Sequence, residues 1–316
     1  MTTLRMRVGH IDALTPTIRR LLLVAADGKP LPAFSAGAHI GLQVPIDGRT
    51  QRRAYSLVNA PDHTGHYEIA VQLEAASSGG SHWVHQLETG AEIDVSPPRN
   101  DFPLDPAAHS ALLIAGGIGI TPILAMARAL QVAGTEYELH YAAREAAFMA
   151  YRDEVAMLPG ATCWLDGGDP RQGIRLATTI GAPQAGQHLY VCGPRPLIEA
   201  VLSHAKALGW PDTQVHSEMF AANQDSASEH AFEVMLKASG LTLPVPAGKT
   251  ILDVMIDAGL DPLFDCRRGD CGVCTTQVLD GTPDHRDICL SSDDRARGDF
   301  CPCVSRAASP LLVLDL

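Results

Sequence analysis

Residues Asp265–Cys274 read DCRRGDCGVC, and residues 275–302 separate the last of these cysteines from Cys303. Three thiolates from one tight loop and a fourth from a distant segment is the spacing of a plant-type [2Fe-2S] cluster. Gly269 and Gly272 let such a loop fold closely around an inorganic core, where left-handed backbone or a missing Cβ is needed. Loop amides can then point at bridging sulfides and tune the potential. Zinc more usually takes two short cysteine pairs, and buried structural thiols need no glycine-rich loop. The pattern predicts metal ligation by Cys266, Cys271 and Cys274, with one-electron transfer as the leading function. Spacing alone leaves the fourth thiolate open between Cys301 and Cys303.

The rest of the chain is long enough for two or three domains. It has 316 residues, 46 % of them hydrophobic, which suffices for real cores. A formal charge of -12 and the lack of a basic stripe argue against nucleic acid. The longest apolar stretches, such as Ala111–Ile120, are far short of a membrane span, and MTTLRMRVGH has no apolar segment before its first charges. A soluble cytoplasmic protein without membrane insertion is expected. Eight cysteines could form disulfides in a secreted chain, but the start of the chain does not read that way. Cys163 and Cys192 lie in apolar runs and read as small core residues, whereas spacing gives Cys289 no role.

The chain divides into three compositional regions. Up to Phe102, short strand signals (MRVGHIDAL, IRRLLLVA, HIGLQVPI, RAYSLV, YEIAVQL) are broken by Gly, Pro, Asp and Asn, the pattern of a small antiparallel barrel or sandwich. From Ser110 to Phe220, ALLIAGG, YELHYAA, ATCWLD and HLYVCGP read as buried parallel strands. Helices are expected between them near 123–131, 146–158 and 196–208. AANQDSASE, residues 221–229, reads as an exposed linker, with a hairpin and a helix over 250–257 after it.

Chemistry concentrates in four segments. RRAYSLVN, residues 52–59, offers a guanidinium for a phosphate, a tyrosine for a planar ring and a serine for a ring heteroatom, a set that suits flavin mononucleotide. On its own it is also an ordinary strand edge. SSGGS, residues 77–81, precedes a helix and reads either as an anion nest including Gly79, Gly80 and Ser81 or as a flexible turn. LLIAGGIGITP, residues 112–122, runs from a strand through a glycine turn into a helix. That lets a pyrophosphate approach the backbone, although GGIG lacks the GxGxxG spacing. YVCGP, residues 190–194, is a second strand ending where open α/β sheets bind ligands.

In order, Arg53-Ala54-Tyr55-Ser56-Leu57, Gly116-Gly117-Ile118-Gly119-Ile120-Thr121-Pro122, Cys192-Gly193-Pro194, Glu218-Met219-Phe220 and the cluster cysteines resemble the phthalate dioxygenase reductase type of oxygenase reductase. Vanillate demethylase reductase components are similar, and the resemblance covers nearly the whole chain. It implies an antiparallel β-barrel FMN domain over 1–103, an α/β NAD-binding domain over 104–222, a linker over 223–230, and an α+β β-grasp ferredoxin over 231–316. Arg53 and Ser81 would hold the FMN phosphate, with Ala54, Tyr55, Ser56 and Leu57 along the flavin and Ser56 as a tuning donor. Thr121 and Pro122 would lie near flavin or nicotinamide. Gly116, Gly117 and Gly119 would accommodate the NADH backbone, Cys192, Gly193 and Pro194 would border the nicotinamide, and Phe220 would pack at the isoalloxazine ring. The family ends its cluster signature in cysteine followed by Val-Ser-Arg, so Cys303-Val304-Ser305-Arg306 implies Cys303 as fourth ligand.

Thr162-Cys163-Trp164-Leu165-Asp166-Gly167 departs from relatives that carry a histidine before this Asp-Gly pair. Asp166 reads as a ribose contact or as a turn aspartate, and Arg144 as facing a pyrophosphate or ribose. NADH rather than NADPH rests on the resemblance and on the lack of an Arg/Lys cluster near Arg144. The resemblance implies electron flow from NADH through FMN and the [2Fe-2S] cluster to a Rieske-type terminal oxygenase. The alternatives are another one-electron acceptor protein and, in a different class, an iron-sulfur redox sensor.

Overall fold

A computed structural model shows two compact units, Met1–Glu218 and Met219–Leu316. It describes residues 3–46, 48–61, 65–74, 79–220, 230–265, 267, 269, 271–290 and 292–316. Strands β1 (Leu4–Ala13), β2 (Ile18–Ala25), β3 (His39–Ile46), β4 (Arg49–Ser56), β5 (Tyr67–Gln72) and β6 (Glu92–Val95) form an antiparallel sheet in the order β4-β3-β6-β1-β2-β5. Alternation places one face in the core, where Met6, Val8, Leu21, Leu23 and Ile69 are fully buried. Each such side chain contributes roughly 1.5–3 kcal/mol relative to exposure. A register shift between Val8 and His10 bends β1. The sheet rolls toward a barrel where the Val58 amide, just past β4, donates to the Glu68 carbonyl of β5 at 2.9 Å. Helix α1 (Gly80–His85) sends Val84 into the same core.

The same unit holds a parallel sheet of β7 (Ser110–Gly116), β8 (Glu136–Ala143), β9 (Ala161–Leu165), β10 (Gln187–Cys192) and β11 (Val215–Glu218), ordered β11-β10-β7-β8-β9. Helices α2 (Ile120–Ala133), α3 (Arg152–Met157), α4 (Leu176–Thr179) and α5 (Arg195–Ala207) punctuate it. The strand order reverses between β7 and β10, which opens a ligand crevice at their carboxyl ends.

Three expectations change here. Strand β9 is half-exposed rather than buried, because it is the sheet's edge and, among the described residues, no strand pairs beyond it. Residues 146–158 do not form one helix. A short 3₁₀ turn covers Ala146–Phe148, and Tyr151 adopts a left-handed backbone, φ 57°, before α3 starts. Cys163 is also only half-buried, while Cys192 is fully buried as expected.

In the second unit β12 (Phe232–Leu236) and β13 (Leu241–Val245) form the expected hairpin, followed by α6 (Ile251–Asp257). Thr250 and Asp253 close a reciprocal capping box at its start. The chain continues through β14 (Thr276–Asp280), β15 (Pro283–Asp284), α7 (Ser292–Ala296), β16 (Asp299–Phe300), β17 (Arg306–Ala307) and β18 (Leu311–Leu314). Strand β18 lies parallel beside β12, giving the order β13-β12-β18-β14-β16 of a grasp-like sheet over α6. The expected linker lies outside the described residues except for His230.

Candidate functional site

Three sets of residues matter, two in the first unit and one in the second. On β4, Arg53 is half-buried, and a Cβ added at Gly80 would meet its Cγ and Nε at 3.0 and 3.1 Å. The guanidinium therefore lies against the start of α1, so the structure brings Arg53, Gly79, Gly80 and Ser81 together. Arg53 also donates to Gln51 Oε1 at 2.7 Å, and Ser81 Oγ accepts from the Glu74 amide at 3.1 Å. Ser56 and Leu57 are buried and Ala54 is exposed. Burial pushes the Tyr55 hydroxyl up to about 12, with Arg53 pulling the other way. Ser77 and Ser78 lie outside the described residues.

The second set is the crevice between β7 and β10. A Cβ on Gly119 would strike the Cys192 carbonyl oxygen and, at 2.7 Å, the Gly193 nitrogen; one on Gly193 would meet Gly116 Cα and nitrogen at 3.0 Å. At Gly119 and Gly193 the two turns press backbone against backbone, which only glycine permits. Gly117 has φ 54° with open space where its Cβ would be. The open side leaves room for close approach, while the Gly117 carbonyl accepts from the Ile120 amide. Helix α2 begins at Ile120, so Pro122 falls in the first turn, where a missing N–H costs nothing. Thr121 is buried and donates its hydroxyl to the Ile118 carbonyl at 3.0 Å, holding the turn. Arg144 is exposed past β8, and its carbonyl accepts from the Gly167 amide at 2.9 Å. Asp166 Oδ1 accepts from the Gly168 amide at 2.8 Å, the geometry of a turn aspartate. Phe220 is half-buried within the second unit.

The third set surrounds the cysteine loop. Cys274 and Cys303 are buried and Cys271 is half-buried, while Cys266 lies outside the described residues. Gly269 has φ 81°, and a Cβ there would meet Val304 Cγ2 at 2.6 Å and Asp287 Cα at 2.9 Å. The loop thus closes on the segment after Cys303. Arg267, also left-handed at φ 57°, pairs with Asp253 of the capping box and tethers the loop to α6. The Cys301 sulfur lies 3.5 Å from Cys289 Sγ and 3.6 Å from Thr275 Oγ1. Contacts with Cys274 and Cys289, then burial, push its thiol upward.

Residues 15–103 match the oxidoreductase FAD-binding domain, and 91–215 match the N-terminal domain of DmmA-like dimethylamine monooxygenase subunits. Residues 234–308 match the 2Fe-2S iron-sulfur cluster binding domain. A vanillate O-demethylase oxidoreductase of Pseudomonas sp. (strain HR199 / DSM 7063) is 43 % identical over 315 residues, covering 98 % of each chain. The chain belongs to the phthalate dioxygenase reductase and vanillate demethylase reductase family. The solved phthalate dioxygenase reductase, a modular structure for electron transfer from pyridine nucleotides to [2Fe-2S], is 37 % identical. It covers 99 % of this chain and 98 % of its own, with a TM-score of 0.78. The heme-dependent oxidative N-demethylase beta subunit of Ectopseudomonas mendocina (strain ymp) is 40 % identical over 318 residues, covering 100 % and 99 %.

As a family member the chain is an NADH-dependent flavin and [2Fe-2S] oxidoreductase. The residues present fit those groups. Open glycine backbone faces the crevice, a guanidinium and glycine amides converge beside β4, and thiolate-forming cysteines sit in a loop with left-handed residues. Among the described residues, Asp287, Cys289 and Cys301 also bring three donor atoms within 4.8 Å of one another. That carboxylate is already held by Ser305 Oγ and Arg295 at 3.1 Å and by the Leu290 amide at 3.2 Å, so it is a structural clasp.

Several further residues organise the sites. Arg306 bonds the carbonyls of Lys249, His230 (3.0 Å) and Pro246 (3.3 Å), and stacks 5.1 Å over Phe232. Ser305 accepts from the Arg286 amide at 3.0 Å and donates to Asp287. The Ser-Arg pair therefore fastens the segment that follows Cys303, a signal the motif itself carried. A second group, Glu68, Arg128 and Tyr151, had no such signal.

Proposed function

We propose that this chain is the cytoplasmic reductase component of a Rieske-type oxygenase or demethylase, delivering electrons from NADH to a separate terminal oxygenase. The observation behind this reading is the full-length match to a vanillate O-demethylase oxidoreductase, which brings flavin, nucleotide and cluster modules as one set. Among the described residues no helix is long and apolar enough to cross a membrane. On this reading residues 1–103 bind FMN, 104–222 bind NADH, 223–230 link, and 231–316 hold the cluster. Bound flavin supplies two-electron acceptance from a hydride with one-electron release, and the cluster supplies single-electron carriage.

The chain's part is to bind, orient and exclude. Arg53 and Ser81, with the Gly79 and Gly80 backbone, take the FMN phosphate by charge-assisted bonds. Ala54, Tyr55, Ser56 and Leu57 lie along the flavin, with the Ser56 hydroxyl as the ring's donor. The Gly116-Gly117-Gly119 turn, Thr121 and Pro122 receive the NADH backbone at a helix start. Cys192, Gly193 and Pro194 border the nicotinamide. Arg144 and Asp166, just past their strands, would serve the nucleotide's ribose and phosphates, and Phe220 would pack near the flavin ring. No side chain need act as acid or base, because hydride transfer between two held rings would ask of the chain only their alignment. Cys266, Cys271, Cys274 and Cys303 hold the iron.

Anaerobic NADH titration with absorbance and EPR recorded together tests this. Two iron and two sulfide per chain, released FMN, and bleaching of flavin followed by a reduced [2Fe-2S] signal are expected. Stoichiometric zinc, or FAD without FMN, would defeat the cofactor assignment. NADH oxidation with an artificial acceptor excludes a sensor that does not turn over. A haem-containing acceptor is the second reading, favoured by the similarity to the heme-dependent N-demethylase subunit. Reduction of a purified Rieske component, set against a haem component, separates the two.

A further inference from the structure

Glu68, on β5 of the flavin barrel, is a buried carboxylate that faces the nucleotide-binding layer of the same unit. Tyr151 donates its hydroxyl to Glu68 Oε1 at 2.8 Å. Arg128 of α2 approaches Glu68 Oε2 at 3.6 Å, grips Glu154 through two bonds of 2.8 Å, and donates to the Val58 carbonyl at 2.6 Å. Its guanidinium also lies 5.9 Å from the Tyr151 ring. Val58 in turn donates its amide to the Glu68 carbonyl, the bond that rolls the barrel closed. It sits two residues past Ser56.

Arg128 lies seven residues after Thr121 on α2, two turns along the same helix face and about 10 Å away. One rigid helix therefore carries the glycine turn at its start and, two turns later, a clamp on the backbone of the flavin segment. Tyr151 reaches Glu68 from a left-handed backbone that its side chain would ordinarily avoid. That outlier persists because the surrounding contacts fix it. Burial and then the Glu68 charge push its hydroxyl well above the ordinary tyrosine range, so it remains a donor.

We propose that Arg128, Glu68 and Tyr151 form a positioning unit that sets the alignment of the nicotinamide against the flavin, by locking Ser56–Val58 to the helix that begins at the nucleotide-binding turn. The proposal rests on the reading of this unit as the flavin and NADH module. None of the three residues touches reacting atoms; they act through the Val58 backbone and α2. Small misplacement of reacting groups costs rate far more than affinity, which gives the unit a kinetic signature.

Tyr151→Phe, Glu68→Gln and Arg128→Met would be measured in the flavin-loaded full chain. The readouts are flavin affinity, NADH affinity, stopped-flow flavin reduction, the isotope effect with NADH deuterated at nicotinamide C4, and hydrogen exchange at the Val58 and Glu68 amides. Tyr151→Phe and Glu68→Gln are expected to keep both affinities within about twofold. Flavin reduction should slow by about tenfold or more, with a larger isotope effect and faster amide exchange. Arg128→Lys should restore part of the rate lost in Arg128→Met. Wild-type reduction rates in variants that hold flavin, whatever their melting temperatures, would overturn the proposal and leave a purely structural contact. A wild-type protein whose bound flavin NADH does not reduce would sink the functional reading instead, and the exchange data would still report whether the clamp orders Val58.

Discussion

Cys301 and Cys303 stand two positions apart, both buried in the cluster-loop core with Cys274 and Val304. Their neighbours distinguish them. Cys303 leads into Ser305 and Arg306, which are bonded to Asp287 and to three backbone carbonyls, whereas the Cys301 sulfur faces Cys289 and Thr275. Cys303→Ser should abolish or grossly shift the [2Fe-2S] EPR signal, because a hydroxyl is a far poorer iron donor than a thiolate. Cys301→Ser should leave near-native g-values, and the reverse pattern would move the fourth ligand to Cys301. Spacing could not decide between the two cysteines, since both satisfy a long gap; the choice of Cys303 rests on the family's Val-Ser-Arg ending. The Glu68-Tyr151-Arg128 contacts were illegible for a different reason. They join residues far apart in sequence, and no local pattern marks a tyrosine as left-handed.

At the scale of elements, two barrel strands were readable to the residue. IRRLLLVA and HIGLQVPI match β2 and β3 end for end. Strands β14 to β18 were not, because most are two to five residues long and draw their order from the sheet rather than from their own pattern. The helix over 250–257 was legible because Thr250 caps it and its apolar positions repeat. The crevice between β7 and β10 was legible as two motifs but not as one site, since only the fold presses Gly119 against Cys192. That contact gives a test. Gly119→Ala pushes a methyl into backbone that cannot swing aside, and overpacking of this kind costs about 1–3 kcal/mol. The melting temperature should fall while flavin content stays native, and NADH affinity should weaken by about tenfold or more. Unchanged NADH binding in a folded Gly119→Ala protein would remove the nucleotide backbone from this turn.

For the whole molecule, the two compact units divide the labour. The crevice and flavin segment lie in Met1–Glu218, and the cluster cysteines lie in Met219–Leu316. Two-electron entry and one-electron exit should then fail independently. Arg53→Ala would remove the proposed charge-assisted phosphate contact, a class of bond worth about 1.5–3 kcal/mol, so FMN retention should drop by about tenfold or more. Every NADH-dependent activity should fall with it and recover when excess FMN is added. Cys274→Ser acts in the other unit. NADH should still reduce the flavin at the wild-type rate, and a small acceptor drawing electrons from flavin should still turn over, while reduction of a protein partner stops. Stopped-flow flavin absorbance paired with a partner-reduction assay reads both, and circular dichroism confirms that the variant is folded. Normal partner reduction by a folded, cluster-free Cys274→Ser protein would mean that electrons pass directly from flavin to the partner. The second unit would then have to be a docking module rather than a conductor.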